Sequence, residues 1–109
     1  MSRSSFVIVL TTVPLDMSPE TLARTLVEER LAACVNILPP MESIYRWQGS
    51  VEQASERQVI IKTSADRVEQ LKARLASLHP YEVPELLVLQ IQDGEAKYLE
   101  WIGDSVRSS

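Results

Sequence analysis

The sequence predicts an α+β domain in which two helices cover one face of a four-stranded antiparallel sheet, and three observations carry that reading. Strand-like and helix-like patterns alternate in the order β-α-β-β-α-β, with one further helix at the end. Two long extended segments flank Gln48-Gly49, where glycine supplies the positive φ that a tight hairpin turn needs. No linker, repeat or low-complexity segment interrupts the 109 residues, so the pattern belongs to one domain over 1–109, with an ordered core at about 6–105 and short, loose polar ends. This order is the ferredoxin-like split arrangement.

Each element has a local cause. Phe6-Val-Ile-Val-Leu-Thr-Thr is a continuous β-branched and apolar run that suits a central strand, and Pro14 ends it. Ser18-Pro19-Glu20 then offers a capping hydroxyl, a proline at the first helical position and an acid at the positive end of the helix dipole. The inner stripe of that helix is expected to be Leu22, Ala23, Leu26, Val27 and Leu31, with Arg24 and Glu28 as a weak surface pair and Glu28-Glu29 as solvated acids. Pro39-Pro40 lack N–H donors and are expected to split the second strand into Cys34–Leu38 and Ser43–Trp47.

Beyond the prolines, alternation puts Tyr45 and Trp47 on one face and Ile44 and Arg46 on the other. In the returning strand Arg57, Val59, Ile61 and Thr63 share one face, while Gln58, Ile60 and Lys62 share the opposite one. Asp66 with Glu69 reads as a capping box for a second helix built on Val68, Leu71, Leu75 and Leu78, and His79-Pro80 ends it. Leu86 to Ile91 forms a last strand, Asp93-Gly94 a turn, and Tyr98, Leu99, Trp101 and Ile102 dominate a short third helix. Ordinary strands run to about 5–6 residues, so the arms 43–47 and 51–63 are long for a small sheet. Long open edges invite pairing with another chain, which predicts an assembly.

Composition narrows the function. An apolar share of 45% with 24% charged residues is that of an ordinary globular protein, and no run reaches the length of a membrane span. The net charge of −4 comes from interspersed acids and bases with no basic cluster, which argues against nucleic acid as a partner. The single cysteine, Cys34, cannot form an internal disulfide, and the expected location is the cytoplasm. There is no P-loop, GxGxxG, nucleophile elbow or triad pattern.

Four features bear on a site. Cys34 is read either as a ligand for a soft metal or as a small buried hydrophobe, the second being the expectation. His79-Pro-Tyr-Glu-Val-Pro-Glu85 holds a histidine, a tyrosine and two acids between prolines: Glu82 or Glu85 with His79 would suit a divalent ion or a proton transfer, and equally the stretch is a rigid crossover. Tyr45, Trp47, Tyr81 and Trp101 read as lining a cleft or as packing an interface between subunits, the latter expected. Lys62 reads as an anion contact in such a cleft or as the partner of an acid such as Glu56 or Glu85.

Taken together, Leu10-Thr-Thr-Val-Pro14, Glu29-Arg-Leu-Ala-Ala-Cys-Val-Asn-Ile-Leu-Pro39, Ser43-Ile-Tyr-Arg-Trp-Gln-Gly49, Ile61-Lys-Thr63, His79 through Glu85 and Tyr98-Leu-Glu-Trp101 resemble the CutA family of divalent-cation tolerance proteins, over roughly residues 6 to 102. The resemblance implies a tight homotrimer of ferredoxin-like protomers, similar in architecture to the PII signalling proteins, with the hairpin crossing into a neighbour. It implies a non-catalytic binding or signalling role connected with tolerance to copper and other divalent metals. Some bacterial members carry cysteine where this chain has Thr11 and a second histidine where it has Leu78. The remaining donors are His79, Glu82 and Glu85, with Cys34 from elsewhere in the trimer, so weak binding of Cu or Zn is expected. Two other readings stand beside it: a trimeric scaffold for a protein partner, and an enzyme using His79 and a carboxylate between subunits.

Overall fold

The computed structural model describes residues 5–107. Of the loose ends expected on either side of about 6–105, residues 1–4 and 108–109 lie outside the described residues, whereas the last helix continues through buried Val106. Strand β1 spans Phe6–Pro14, β2 Cys34–Trp47, β3 Ser50–Ser64 and β4 Leu87–Gln90, and they form one sheet in the order β2-β3-β1-β4 with every neighbour antiparallel. Helices α1 (Pro19–Glu28) and α2 (Val68–Leu78) connect β1 to β2 and β3 to β4, and α3 (Ala96–Val106) follows. The split β-α-β-β-α-β order and the ferredoxin-like sheet stand as predicted.

Odd-numbered residues of β1 and β3 face the two helices. Val7, Val9, Val13, Val59 and Ile61 are buried against Leu22 and Leu26 of α1 and Leu71 and Leu75 of α2. Even-numbered Ile8, Leu10 and Ile60 point the other way and are only half-buried. That second face is covered where β1 begins and β3 ends, because α3 buries Ile102 and Val106 there against Phe6 and Ala33.

The start of α1 is as the sequence indicates: Ser18 Oγ accepts from the Thr21 N–H at 3.3 Å, and Pro19 occupies the first turn. Its end differs. The helix stops at Glu28, and Arg30, at φ 60°, turns the chain so that the N–H groups of Arg30 and Leu31 bond back to the carbonyls of Val27 and Leu26. This left-handed stop leaves Val27 exposed and puts buried Leu31 beyond the helix rather than on its stripe. Glu29 pairs bidentately with Arg74 of α2 at 2.9 Å instead of lying free in solvent. The Asp66–Glu69 capping box is also replaced, since residues Ala65–Arg67 form a 3₁₀ turn in which Ser64 bonds to Asp66, and α2 starts only at Val68.

Pro39-Pro40 do not divide β2. The strand continues from Cys34 to Trp47 through a register shift between Ile37 and Pro40. A bulge absorbs the missing donors by leaving a residue unpaired. It also changes parity: Val35 and Ile37 lie opposite Ile61 and Val59 on the helix side, whereas Met41, Tyr45 and Trp47 lie opposite Glu56, Glu52 and Ser50 on the other side. At Gln48-Gly49 both residues have positive φ, 49° and 82°, which closes the two-residue turn. β3 alone has 15 residues, about 50 Å at ~3.3 Å each, and this accounts for the 49 Å long axis of a molecule only 26 × 24 Å across. The hairpin therefore projects from the domain, carrying Ile44 at 70% and Val51 at 66% exposure.

Candidate ligand cleft

The face of the sheet left free by α1 and α2 carries a cleft of about 720 Å³ at the end remote from α3. Its floor is Thr12 of β1 with Ala54, Glu56 and Gln58 of β3. Met41, Ser43, Tyr45 and Trp47 of β2 form one wall, all on this side because the bulge has shifted their parity. The loop Tyr81–Glu85 forms the other.

That loop is tied to the sheet at several points. His79 Nε2 lies 2.5 Å from the Thr12 carbonyl, which can only accept, so Nε2 carries the proton and Nδ1 accepts the Tyr81 N–H at 3.1 Å. The Tyr81 hydroxyl donates to Glu56 Oε2 at 3.0 Å. Gln58 Nε2 donates to the Thr11 carbonyl at 2.7 Å and to Glu85 Oε2 at 2.9 Å. Burial, then the hydrogen bond to Glu56 and that group's charge, push the Tyr81 phenol up to about 12.

The structure brings together Tyr45, Trp47, Tyr81, Glu82 and Glu85 of the residues singled out from sequence. His79 anchors the loop from behind and does not line the cleft. Lys62 and Trp101 are elsewhere: Lys62 Nζ is 3.4 Å from the Tyr98 hydroxyl and 5.7 Å from its ring centre, and Tyr98 packs on Trp101 at 5.4 Å. Within the chain Lys62 thus meets an aromatic ring, while Glu56 and Glu85 lie in the cleft. Cys34 is half-buried rather than fully buried, with Sγ 3.9 Å from Asn36 Oδ1. It lies opposite Lys62, four residues along β3 from Gln58, or about 13 Å of strand.

Among the described residues no three His, Cys, Asp or Glu side chains converge as a metal site. His79 has both ring nitrogens engaged, and Glu56 and Glu85 already accept hydrogen bonds, so one chain does not supply the donors of a closed metal centre. Thr11 points into the helix-side core, where its hydroxyl has no hydrogen-bond partner, and Leu78 packs against that core. Neither position opens on the cleft. Thr12, Met41, Ser43 and Gln58 line the cleft without any sequence motif that singles them out, and the sequence points to Glu56 only as a partner for Lys62. Strand alternation from Lys62 through Gln58 to Glu56 was the signal that could have placed the last two.

An antiparallel sheet with one helix-covered face and a polar-aromatic cleft on the other defines a small α+β domain of the ferredoxin-like class. The chain belongs to the CutA1 divalent ion tolerance protein family, whose model matches residues 7–105. It is 48% identical over 98 residues to the divalent-cation tolerance protein CutA of Thermus thermophilus, covering 90% of this chain and 95% of that one. The solved structure of the Thermus thermophilus divalent cation tolerance protein (Cut A1) superposes with a TM-score of 0.90 at 46% identity, covering 94% and 99% of the two chains. A chloroplastic CutA of Arabidopsis thaliana is 44% identical over 94% of this chain and 56% of its own length. A structure described as the periplasmic divalent cation tolerance protein CutA of Archaeoglobus fulgidus has a TM-score of 0.89 at 31% identity, covering 94% and 99% of the chains. Among the described residues no helix is long and apolar enough to cross a membrane.

Proposed function

We propose that this protein is a homotrimeric, non-catalytic binding or signalling protein of divalent-cation tolerance, with a PII-like arrangement of subunits around the helix-free sheet faces and ligand clefts at their borders. The observation that carries the reading is the uncovered face itself. Half-buried Ile8 and Leu10 lie opposite Leu89 and Leu87, which are exposed on edge strand β4, with Ile60 beside Leu10 on β3, and the hairpin extends past the domain with Ile44 and Val51 exposed. An apolar surface of this kind beside an open strand edge is a subunit contact in wait of its partner. A non-catalytic role is supported by His79, whose two nitrogens already hold the loop and leave no lone pair for a proton relay.

For the metal, Glu82 and Glu85 are the proposed carboxylate contacts, with His79 setting the loop that presents them and Cys34 entering only from a neighbouring subunit. Carboxylates and water make an open site that favours hard or borderline ions over Cu(I), with dissociation constants of roughly micromolar or weaker. We place the working protein in the cytoplasm on the strength of its lone, unpaired Cys34. Light scattering should give three times the chain mass of 12.3 kDa. Calorimetry with Cu, Zn and Mn ions should give weak heats that Glu82→Gln and Glu85→Gln reduce. A monomer at micromolar concentration removes the assembly, and nanomolar copper binding that survives both substitutions moves the metal to another site.

A further inference from the structure

We infer that the cleft takes an organic cation, a protonated amine carrying a small apolar body. This deepens the reading of the cleft as a ligand site and rests on it. The charge of the walls decides the ligand's sign. Glu56, Glu82 and Glu85 all line the cleft, and among the described residues of this chain none that lines it is basic and none of the three acids forms an ion pair. A phosphate or carboxylate ligand would enter against three like charges.

Glu56 sharpens the point, because it is only 8% exposed and its hydrogen-bond partner is the neutral Tyr81 hydroxyl. A buried carboxylate without a counter-charge is costly, and an ammonium group supplies both the charge and the donors it lacks. The aromatic rings decide the rest of the ligand. Tyr45, Trp47 and Tyr81 line the same cleft, and their faces attract a cation while their area accommodates carbon. At about 720 Å³ the space is that of a small-molecule site and far larger than a bare metal ion requires.

The experiment uses Trp101→Phe protein, which leaves Trp47, in the cleft, as the remaining one of two tryptophans. Its fluorescence is titrated at constant ionic strength with n-butylammonium, 1-butanol and butyrate, which share a carbon chain and differ in charge, while light scattering records the assembly of the same samples. A saturable change with butylammonium, weakened roughly tenfold or more for butanol and absent for butyrate, is expected. Glu56→Gln, whose amide oxygen can still accept from Tyr81, should weaken butylammonium by a similar factor. Glu82→Gln, at an exposed position, should weaken it several-fold without touching the fold. Equal response to butanol, any preference for butyrate, or no saturation with the trimer intact overturns the inference and leaves the assembly standing. A monomer that still binds butylammonium supports the inference and overturns the trimer.

Discussion

Tyr81 reports on the cleft through its own titration. Because its folded value is raised to about 12, the neutral phenol is favoured by folding, so its contribution is complete below about 10 and is lost as pH rises from about 10 toward 12. Tyr81 should therefore form tyrosinate late in an alkaline absorbance titration, and Tyr81→Phe should remove that late step. Retention of the step in the variant would assign it to Tyr45 or Tyr98. Arg30 offers a stability test of the same grain: a left-handed φ of 60° strains an arginine, and Arg30→Gly should raise stability by about 0.5–1 kcal/mol in urea denaturation. At this scale the sequence was legible where the cause was local. Ser18 caps the helix it precedes, but the bonds from His79 to Thr12 and from Gln58 to Glu85 join residues 67 and 27 positions apart, and no local pattern encodes them.

Among the elements, the hairpin shows local chemistry setting a long-range shape. Gly49 sits at φ 82° with no atom within 4 Å of where a Cβ would lie, so Gly49→Ala meets no clash and tests backbone conformation alone. A loss of about 1–2 kcal/mol is expected in thermal or urea unfolding, and an unchanged midpoint would mean that the turn has another geometry available. The turn and the stop at His79 were readable because glycine's own φ and proline's restriction of the residue before it are local effects, and the order of elements because apolar periodicity is local too. The continuity of β2 was not: two missing donors at Pro39-Pro40 argue for a break, and pairing with 15-residue β3 on both sides of the gap holds the strand together. The start of α2 escaped for a similar reason, since Ser64 and Asp66 bond each other and the Asp66–Glu69 pair is never assembled.

On the scale of the whole molecule, the question is what covers the projecting arms. Ile44 is 70% exposed in the single chain, so Ile44→Asp should leave the protomer's own fold intact while weakening the assembly, because a charge would then be trapped in a dry contact. Light scattering of the variant against the parent over a dilution series measures this. An unshifted series would show that the hairpin tip lies outside the subunit contact. The cleft expected for Tyr45, Trp47, Tyr81, Lys62 and Trp101 is one between subunits; within one chain α3 carries Trp101 with Tyr98 to Lys62, away from Tyr45 and Trp47, so only a neighbouring subunit could bring the two groups together.

The bulge near Pro39-Pro40 has a further consequence for how the gene can change. It holds one residue in reserve, so a codon lost anywhere between there and Trp47 can be made up by closing the bulge, with the Gln48-Gly49 turn and its pairing unmoved. Side chains between the bulge and the lost codon alone turn over. Removing Pro39 would leave the wall of Met41, Ser43, Tyr45 and Trp47 in place and only straighten the arm. Removing Ser43 would rotate Met41 out of the cleft and Glu42 into it. The slack sits where shortening does least harm to the cleft, and every second position toward the turn costs it one more residue of its wall.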